Sequence, residues 1–346
     1  MVANINSIMY YGEKPWHGIG TELDHPATAA EAIKAAKLDW EVQAFPIYAG
    51  VPDINDNSKI NEYIPVEDTR ATVRMDTKAA LGVVGRLYTP IQNVDAFGFF
   101  DSVVGEGKAM YHVCGALGKG ETIWILAKMP GDLRVLKTDD IIEKYLLLSN
   151  SHNGMSTMKM FFTPIRVVCQ NTLSAANSEV EQSGRDMVRI KHLPGLHEKV
   201  EAAKIVLGLV DRTYAELQQA YNKLANYQVN DDWLDIYIRA VIPAKNENEV
   251  STRTINIRDG IGSRFESESN SLPGIKGSAW AAYNAVTEWT DHFSIYSKEK
   301  RDTTARLSSI WLGCGSELKK RAFDIALKFT DESSAAQEMA KYAVVN

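Results

Sequence analysis

The chain has 346 residues, of which 45% are apolar and 24% are charged, as is typical of a globular protein with a substantial core. Its formal net charge of −6 argues against general attraction to nucleic acid or anionic membranes, but it leaves room for a local basic groove. No apolar run approaches the roughly 20 residues that cross a bilayer, and the first residues lack a secretory pattern, so we expect a cytoplasmic protein that does not bind membranes.

The first part of the chain carries strand and hairpin signals around one short helix. The helix is predicted over 29–37, because Thr28 and Glu31 have the spacing of a capping box. Residues 72–75 and 81–85 flank a short polar turn and are predicted to pair as a hairpin.

A second set of elements follows. Asn93 is placed to cap a helix, and two apolar runs, 110–117 and 121–129, are joined by a turn that contains two glycines. Glycine supplies the positive φ that tight turns need, so this segment predicts a second hairpin. Residues 187–191 are predicted to add an edge strand.

Residues 145–173 are the most informative segment. They predict a strand, an Asn153-Gly154 turn, a second strand and a helix that begins at Pro164. One face of this hairpin is predicted to be core and consists of Tyr145, Leu147, Met158, Met160 and Phe162. The other face becomes polar toward the turn and consists of Leu146, Leu148, Phe161, Lys159, Asn150 and Thr157. No Asp or Glu occurs between Lys144 and Ser178, although the whole protein is acidic.

Positive charge beside an aromatic side chain is what a surface that binds single-stranded nucleic acid needs. In the loop before the first helix, the aromatic Trp16 is suited to stack on a base and His17 or Lys14 to meet a phosphate. The alternative is that Trp16 closes the edge of the core. The predicted nucleic-acid-binding residues are Lys119, Lys128, Lys159, Phe161, Arg166, Gln170, Trp16 and His17, with Arg70, Arg74 and Arg86 as further candidates. The alternative for the hairpin is an amphipathic sheet with a solvated edge.

The chain becomes helical after Pro194. Apolar residues alternate spacings of four and three from Leu196 to Leu224, which predicts one helix of roughly 45 Å at about 1.5 Å per residue. These apolar residues form a seam along one side of the helix. The seam is expected either to pack against other elements of the same chain or to form a subunit contact. Further helices are predicted over 231–241, 278–292 and 303–329, the last broken near Gly313, with a mobile loop in the polar stretch 243–277.

No motif identifies a catalytic or metal site. Three widely spaced cysteines favour reduced thiols over a disulfide framework or a zinc site. The segments 115–120 and 313–316 lack the spacing of a phosphate loop and of a nucleophile elbow. We therefore expect no metal, no cofactor and no enzymatic activity; the alternative is an enzyme that uses His17 or His152.

Several segments also carry a family resemblance: WHGIG, LDWEV, LGVVG, YTPIQN, YLLLSNSHNG, TPIRVVCQNTL, AWAAYNAVTEWTDH and LKKRAFDIAL. With these the chain resembles a family of phage- and plasmid-borne proteins, the domain of unknown function nine-three-two. The resemblance implies a mobile element in a bacterial host cell, and it supplies no catalytic residues. The order of two hairpins and a helix also resembles the core of Red-beta-like single-strand annealing recombinases. Those proteins form rings or helical filaments and hold single-stranded DNA in a basic groove between the hairpin and the helical layer.

Together these features predict an α+β protein. Antiparallel hairpins with packed helices form a domain over 1–192 that carries the candidate groove, and a mostly helical region with one long helix covers 193–346. The predicted function is binding and annealing of single-stranded DNA in recombination or replication, as a homo-oligomer. The alternative is an oligomeric interaction protein without a nucleic-acid role.

Overall fold

The computed structural model describes residues 5–11, 20–53, 56, 59–104, 110–167, 171–172, 187–190, 210–294, 309–310 and 313–342. The protein has an α+β fold, as predicted, with the sheets in the first half of the chain and most helices in the second. The strands are β1 Ile5–Tyr11, β2 Thr21–Leu23, β3 Val42–Pro52, β4 Ile60–Arg74, β5 Ala79–Gly85, β6 Met110–Leu117, β7 Thr122–Arg134, β8 Ile141–Ser151, β9 Met158–Phe162, β10 Ile165–Arg166, β11 Asn171–Thr172 and β12 Met187–Ile190. The helices are α1 Ala29–Ala35, α2 Asn93–Val104, α3 Val210–Asn226, α4 Asp231–Val241, α5 Thr252–Phe265, α6 Ala279–Glu288, α7 Cys314–Phe329 and α8 Ala335–Ala340, with a 3₁₀ turn Glu268–Asn270 and a π turn Trp289–Phe293.

The chain divides into two compact units that alternate along the sequence. Unit 1 comprises Met1–Lys128, Leu146–Phe161 and Met187–Leu207, and unit 2 comprises Met129–Tyr145, Phe162–Asp186 and Gly208–Asn346. Strands β7 and β8 therefore have residues in both units. The predicted domain boundary after residue 192 lies outside the described residues.

The strands of unit 1 belong to two sheets. The larger one has nine strands in the order β11-β10-β8-β7-β6-β1-β2, and β9, which pairs with β12, also pairs with β8. The smaller sheet has the order β3-β4-β5 and is antiparallel. The predicted hairpins are confirmed in both sheets, since β4 pairs with β5 and β6 pairs with β7. Helix α1 is also confirmed, with both hydrogen bonds of the Thr28–Glu31 capping box.

The small sheet continues beyond β5 as a two-stranded ribbon. β5 pairs with β4 only from Thr69 to Arg74, whereas β3 continues to pair with β4 as far as Ile60. Between these parts the register jumps, because Pro46 lies opposite Arg70 and Ile47 opposite Val66. The extra residues on β4 form a bulge that includes Asp68 at a φ of 58°, and a bulge of this kind bends the ribbon away from the sheet.

In unit 2 the predicted helix at Pro164 is wrong, because the chain there is extended. Ile165 and Arg166 pair antiparallel with β8 on one side and with β11 on the other. The Val167 N–H also donates to the Ile141 carbonyl at 2.9 Å. Pairing on both sides satisfies the backbone groups that a helix would have satisfied internally, and tertiary contacts thus override the local helix signal.

The long seam helix is observed as α3, and the part of the prediction before residue 210 lies outside the described residues. Its seam is core in unit 2: Tyr214, Leu217, Tyr221 and Leu224 are 0% exposed. The Tyr221 ring lies 4.6 Å from that of Trp280 on α6. In the described part of the helix, these buried side chains are unavailable for a subunit contact.

The predicted mobile loop at 243–277 is also wrong, because α5 and a 3₁₀ turn occupy much of it. Ser251 caps α5 by accepting from the Thr254 N–H at 3.2 Å. The Arg258 guanidinium donates to the Ile242 carbonyl and to both oxygens of the Glu247 carboxylate. The polar composition of this stretch thus reflects capping and ion pairing.

The Glu247–Arg258 pair predicts an acid-sensitive contribution to stability. The hydrogen bonds from Arg258 lower the pKa of Glu247 from its ordinary value of 4.5 to about 2. The unfolded chain therefore binds more protons between these values, and the stabilisation present above pH 4.5 is lost as the pH falls toward 2. Because Glu247 is partly exposed, we expect a loss of at most about 1 kcal/mol. Chemical denaturation across this range should show a shallower pH dependence for Glu247→Gln, and an unchanged one would contradict the assignment.

Candidate nucleic-acid interface

The candidate interface lies on the unit 1 sheet where β9 runs between β8 and β12. The predicted core face is confirmed, since its members are at most 3% exposed: Tyr145, Leu147, Met158, Met160 and Phe162. The other face differs from the prediction on β8, where Leu146, Leu148 and Asn150 are buried as well. On β9, Lys159 and Phe161 are partly exposed. The accessible part of this face is therefore smaller than predicted.

The turn after β8 is longer than a two-residue hairpin. Residues 152–157 separate the two strands. The Asn153 side-chain oxygen accepts from the Ser151 hydroxyl at 2.6 Å and from the Met155 N–H at 2.9 Å. Such local bonds from an asparagine stabilise a wider turn, and they leave Met155 85% exposed at its tip.

Lys159 has a second cationic residue opposite it in the backbone register. β9 and β12 pair antiparallel, with Lys159 opposite Arg189 and Phe161 opposite Met187. Lys159 and Phe161 are two residues apart on one strand and therefore lie on the same side of the sheet. A cation beside a partly exposed ring has the chemistry needed to meet a phosphate and a base.

The two other lysines of the predicted patch lie on the β6–β7 hairpin. Lys119 is exposed in its turn, and its N–H donates to the Glu121 carboxylate. Lys128 is partly exposed on β7, opposite Met110. The turn and half of a strand separate them by roughly 20–30 Å at about 3.3 Å per residue. They do not form one compact patch.

The structure corrects the assignment of Arg166 to this interface. Its side chain is 0% exposed and pairs with the equally buried Asp140, with 2.6 Å between Nε and Oδ1. The rest of the guanidinium donates to the Asn270 side chain at 2.7 Å and to the Ser269 carbonyl at 2.6 Å. A guanidinium held in this way inside unit 2 has no surface to offer a phosphate.

The remaining candidates differ in accessibility. Trp16, His17 and Gln170 lie outside the described residues. Arg74 is 5% exposed, lies 4.4 Å from the Trp40 ring and pairs with Asp76, so it has a structural role. The other two arginines are exposed on the small sheet and just after it: Arg70 and Arg86.

A buried polar cluster in unit 1 brings together residues that lie far apart in the sequence. The Asn93 amide donates to the Leu38 carbonyl at 2.9 Å, and its oxygen lies 2.9 Å from Nε2 of His152. The His152 ring packs edge-on against Trp40 at 5.4 Å, and its backbone carbonyl accepts from the Thr72 hydroxyl at 2.7 Å. Asn93 therefore ties three segments together and is not the predicted helix cap.

This cluster gives His152 a structural environment. The ring is 0% exposed, and its Nε2 lies 2.9 Å from the Asn93 side-chain oxygen. A histidine that acts as a general base needs access to substrate and usually an orienting carboxylate. The geometry instead matches a core histidine that fixes the turn after β8.

The same turn packs against β5 without room for a side chain at Gly82. A Cβ there would lie 2.6 Å from the Asn153 Cα and 2.7 Å from its carbonyl oxygen. Because those atoms are backbone, we expect Gly82→Ala to lower the free energy of unfolding by about 1–3 kcal/mol. Denaturant unfolding measures this. Gly85→Ala is the matched control, since no atom lies within 4 Å of its Cβ position; equal stability of the two variants would contradict the packing described.

Unit 2 contains a cavity of about 900 Å³ bordered by the π turn and the start of α7. Its apolar lining includes Trp289 and Phe293, and its charged lining includes Arg253, Glu317 and Arg321. Burial lowers the pKa of Arg321, and the nearby Glu317 opposes that shift. None of the predicted site residues that the structure describes lines this cavity.

The described part of the chain shows neither a metal-binding cluster nor a membrane-spanning helix. No group of three or more His, Cys, Asp and Glu side chains there is arranged to hold a metal ion. No described helix combines the length and the apolar character that crossing a bilayer requires.

Comparison with protein families identifies a relationship for this chain. A family model described as Domain of unknown function (DUF932) matches residues 80–311, about two thirds of the chain. No curated protein and no solved structure matches. The matched range includes the β6–β9 region and most of the helices. The family match does not bear on the resemblance to annealing recombinases.

Proposed function

The chain belongs to the DUF932 family, a domain of unknown function, and from the geometry of unit 1 we propose that it binds single-stranded DNA along β9. The observation that carries the proposal is the register of β9 and β12, which sets Lys159 opposite Arg189. Binding of a nucleic-acid phosphate depends on neutralisation by cationic residues, and this register brings two of them to neighbouring backbone positions.

Two further observations support this proposal. Phe161 is partly exposed on the same side of β9 as Lys159 and is suited to stack on a base. The sequence from Lys144 to Ser178 contains no carboxylate to repel a phosphate backbone. With few cations involved and a net charge of −6, the affinity of one protomer should be modest and highest at low salt.

The wider role proposed is strand annealing in the recombination or replication of a phage or another mobile element. It rests on the resemblance to phage- and plasmid-borne proteins and on the binding proposal. The helix expected after the second hairpin, which was part of the resemblance to annealing recombinases, is extended chain at Ile165 and Arg166. Purified protein should accelerate the pairing of two complementary labelled strands at low salt, without any cofactor.

An interaction protein without a nucleic-acid role is the second candidate. The exposed apolar side chains of the β3–β4 ribbon favour it. It predicts that charge changes on β9 have no effect on any activity of the protein.

Variants of β9 test the proposed site. In fluorescence anisotropy with a labelled oligothymidylate, we expect Lys159→Glu to weaken binding at least tenfold and Lys159→Arg to retain it. Phe161→Ala should weaken the binding free energy by about 1–3 kcal/mol, which is the usual contribution of one stacked base. Lys328→Glu, an exposed lysine on α7, controls for the change in net charge. Equal binding by Lys159→Glu and Lys328→Glu, with unchanged thermal unfolding, would contradict the site.

A further inference from the structure

The far part of the β3–β4 ribbon is an exposed apolar surface. We define the distal ribbon as residues 47–52 of β3 and 60–66 of β4, which lie beyond the bulge and pair with each other. Six large apolar side chains on it are between 36% and 66% exposed: Tyr48, Val51, Ile60, Tyr63, Ile64 and Val66. Soluble proteins seldom leave so many apolar side chains in one place without a binding role.

Both faces of the distal ribbon are apolar. Tyr48 lies opposite Pro65 and Tyr63 opposite Gly50, which places the two tyrosines on one face. Ile64 lies opposite Ala49, and Val66 lies opposite Ile47, on the other face. A sheet with one solvated face normally alternates apolar and polar residues. On the distal ribbon, large apolar side chains of both faces are exposed instead.

The charge pattern of the distal ribbon indicates which kind of partner binds to it. Among residues 47–52 and 60–66, which form the distal ribbon, Glu62 is the single charged residue. Asp53 and Glu67 flank the ribbon in sequence, and the next acidic residues are ion-paired within the chain, Asp56 with Lys59 and Asp68 with Arg86, each at 3.2 Å. The surface therefore offers little to a charged partner such as nucleic acid, and it poses little repulsion to an identical surface.

The exposed apolar area of the distal ribbon is also large enough to form a substantial part of a protein–protein interface. The two tyrosines expose 54% and 66% of their surface, together about 240 Å² at about 200 Å² per aromatic side chain. That is close to a third of the roughly 800 Å² that each partner buries in a stable interface. The aliphatic side chains, the prolines and the backbone of the distal ribbon add to it.

We infer that the distal ribbon is the contact between two copies of this chain, which pack their ribbons against each other in an isologous interface. A two-stranded ribbon is marginally stable alone in water, and pairing with a second copy would bury both its apolar side chains and its unpaired strand edges. This inference is independent of the proposed binding of DNA.

Sedimentation velocity of the full chain over a range of concentrations tests it. The wild type should associate as a dimer or a higher oligomer. Tyr63→Asp/Ile64→Asp, which places one charge on each face, should raise the dissociation constant at least tenfold. Leu87→Asp is the control, because Leu87 is 71% exposed but lies outside the ribbon.

A second variant separates loss of the contact from loss of the ribbon structure. Ile64→Thr/Val66→Thr keeps the β-branched side chains that favour strands while removing apolar surface, and it should also weaken association. A monomeric wild type at every concentration, or unchanged association of both double variants, would overturn the inference.

Discussion

Asp140→Ala should lower the free energy of unfolding by about 3–5 kcal/mol, because it leaves the guanidinium of Arg166 buried without its counter-charge. Both side chains are 0% exposed, so water cannot replace the lost carboxylate. The same substitution removes the acceptor of the Trp280 indole N–H, which lies 2.7 Å from Oδ2 of Asp140. Urea denaturation followed by tryptophan fluorescence measures the loss.

A paired substitution separates the charge effect from packing. In Asp140→Leu/Arg166→Met, neither charge remains, and apolar side chains of similar size fill the space. We expect this double variant to recover much of the stability lost in Asp140→Ala, as happens when apolar residues replace a buried ion pair. If Asp140→Ala costs less than about 1 kcal/mol, the pair is solvated and the described burial is wrong.

Asn93→Ala should lower the free energy of unfolding by about 2–4 kcal/mol, because it leaves two buried polar groups without their hydrogen-bond partner. Each buried group left unsatisfied costs about 1–3 kcal/mol. These two groups are the Leu38 carbonyl and Nε2 of His152. The loss should be accompanied by a loosened turn after β8, visible as faster amide exchange at His152. That amide donates to the Glu121 carbonyl at 2.7 Å in the native fold.

Val94→Ala is the matched control for this experiment. Val94 is the next residue of the same helix and is 59% exposed, so its truncation should change stability by at most about 0.5 kcal/mol. Similar losses for the two variants would show that the helix, and not the amide of Asn93, is the source of the effect.

The elements that sequence predicted correctly are those set by local chemistry. The turn at Gly118–Gly120 follows from its two positive-φ glycines, with φ of 65° and 116°. Helix α1 follows from the Thr28–Glu31 capping box. In both cases residues within a few positions determine the backbone, so no knowledge of the rest of the chain is needed.

The errors arose where distant residues decide the structure. Pro164 favours a helix start locally, but strand pairing holds Ile165 and Arg166 in extended conformation. Arg166 seemed accessible because its partner Asp140 is 26 residues away, and its contacts with Ser269 and Asn270 span more than 100 residues. Neither contact leaves a periodic or spacing signal in the sequence.

The candidate interface was predictable only in part. Lys159 and Phe161 follow from strand alternation, and their partial exposure agrees with that reading. The residue opposite Lys159, Arg189, is missed because its pairing depends on how a distant strand registers with β9. The sequence signal for this residue is limited to the position of Arg189 within the predicted edge strand 187–191.

The most direct test of the central claim is the salt dependence of binding to a labelled oligothymidylate by the full chain. With two cations at the site, the slope of log K against log salt should be about −1.4, at about 0.7 per phosphate contact on a single strand. Lys159→Ala should bring that slope closer to zero by about 0.7, whereas Lys328→Ala should leave it unchanged. Absence of binding at low salt, or equal slopes for the wild type and Lys159→Ala, would contradict the account.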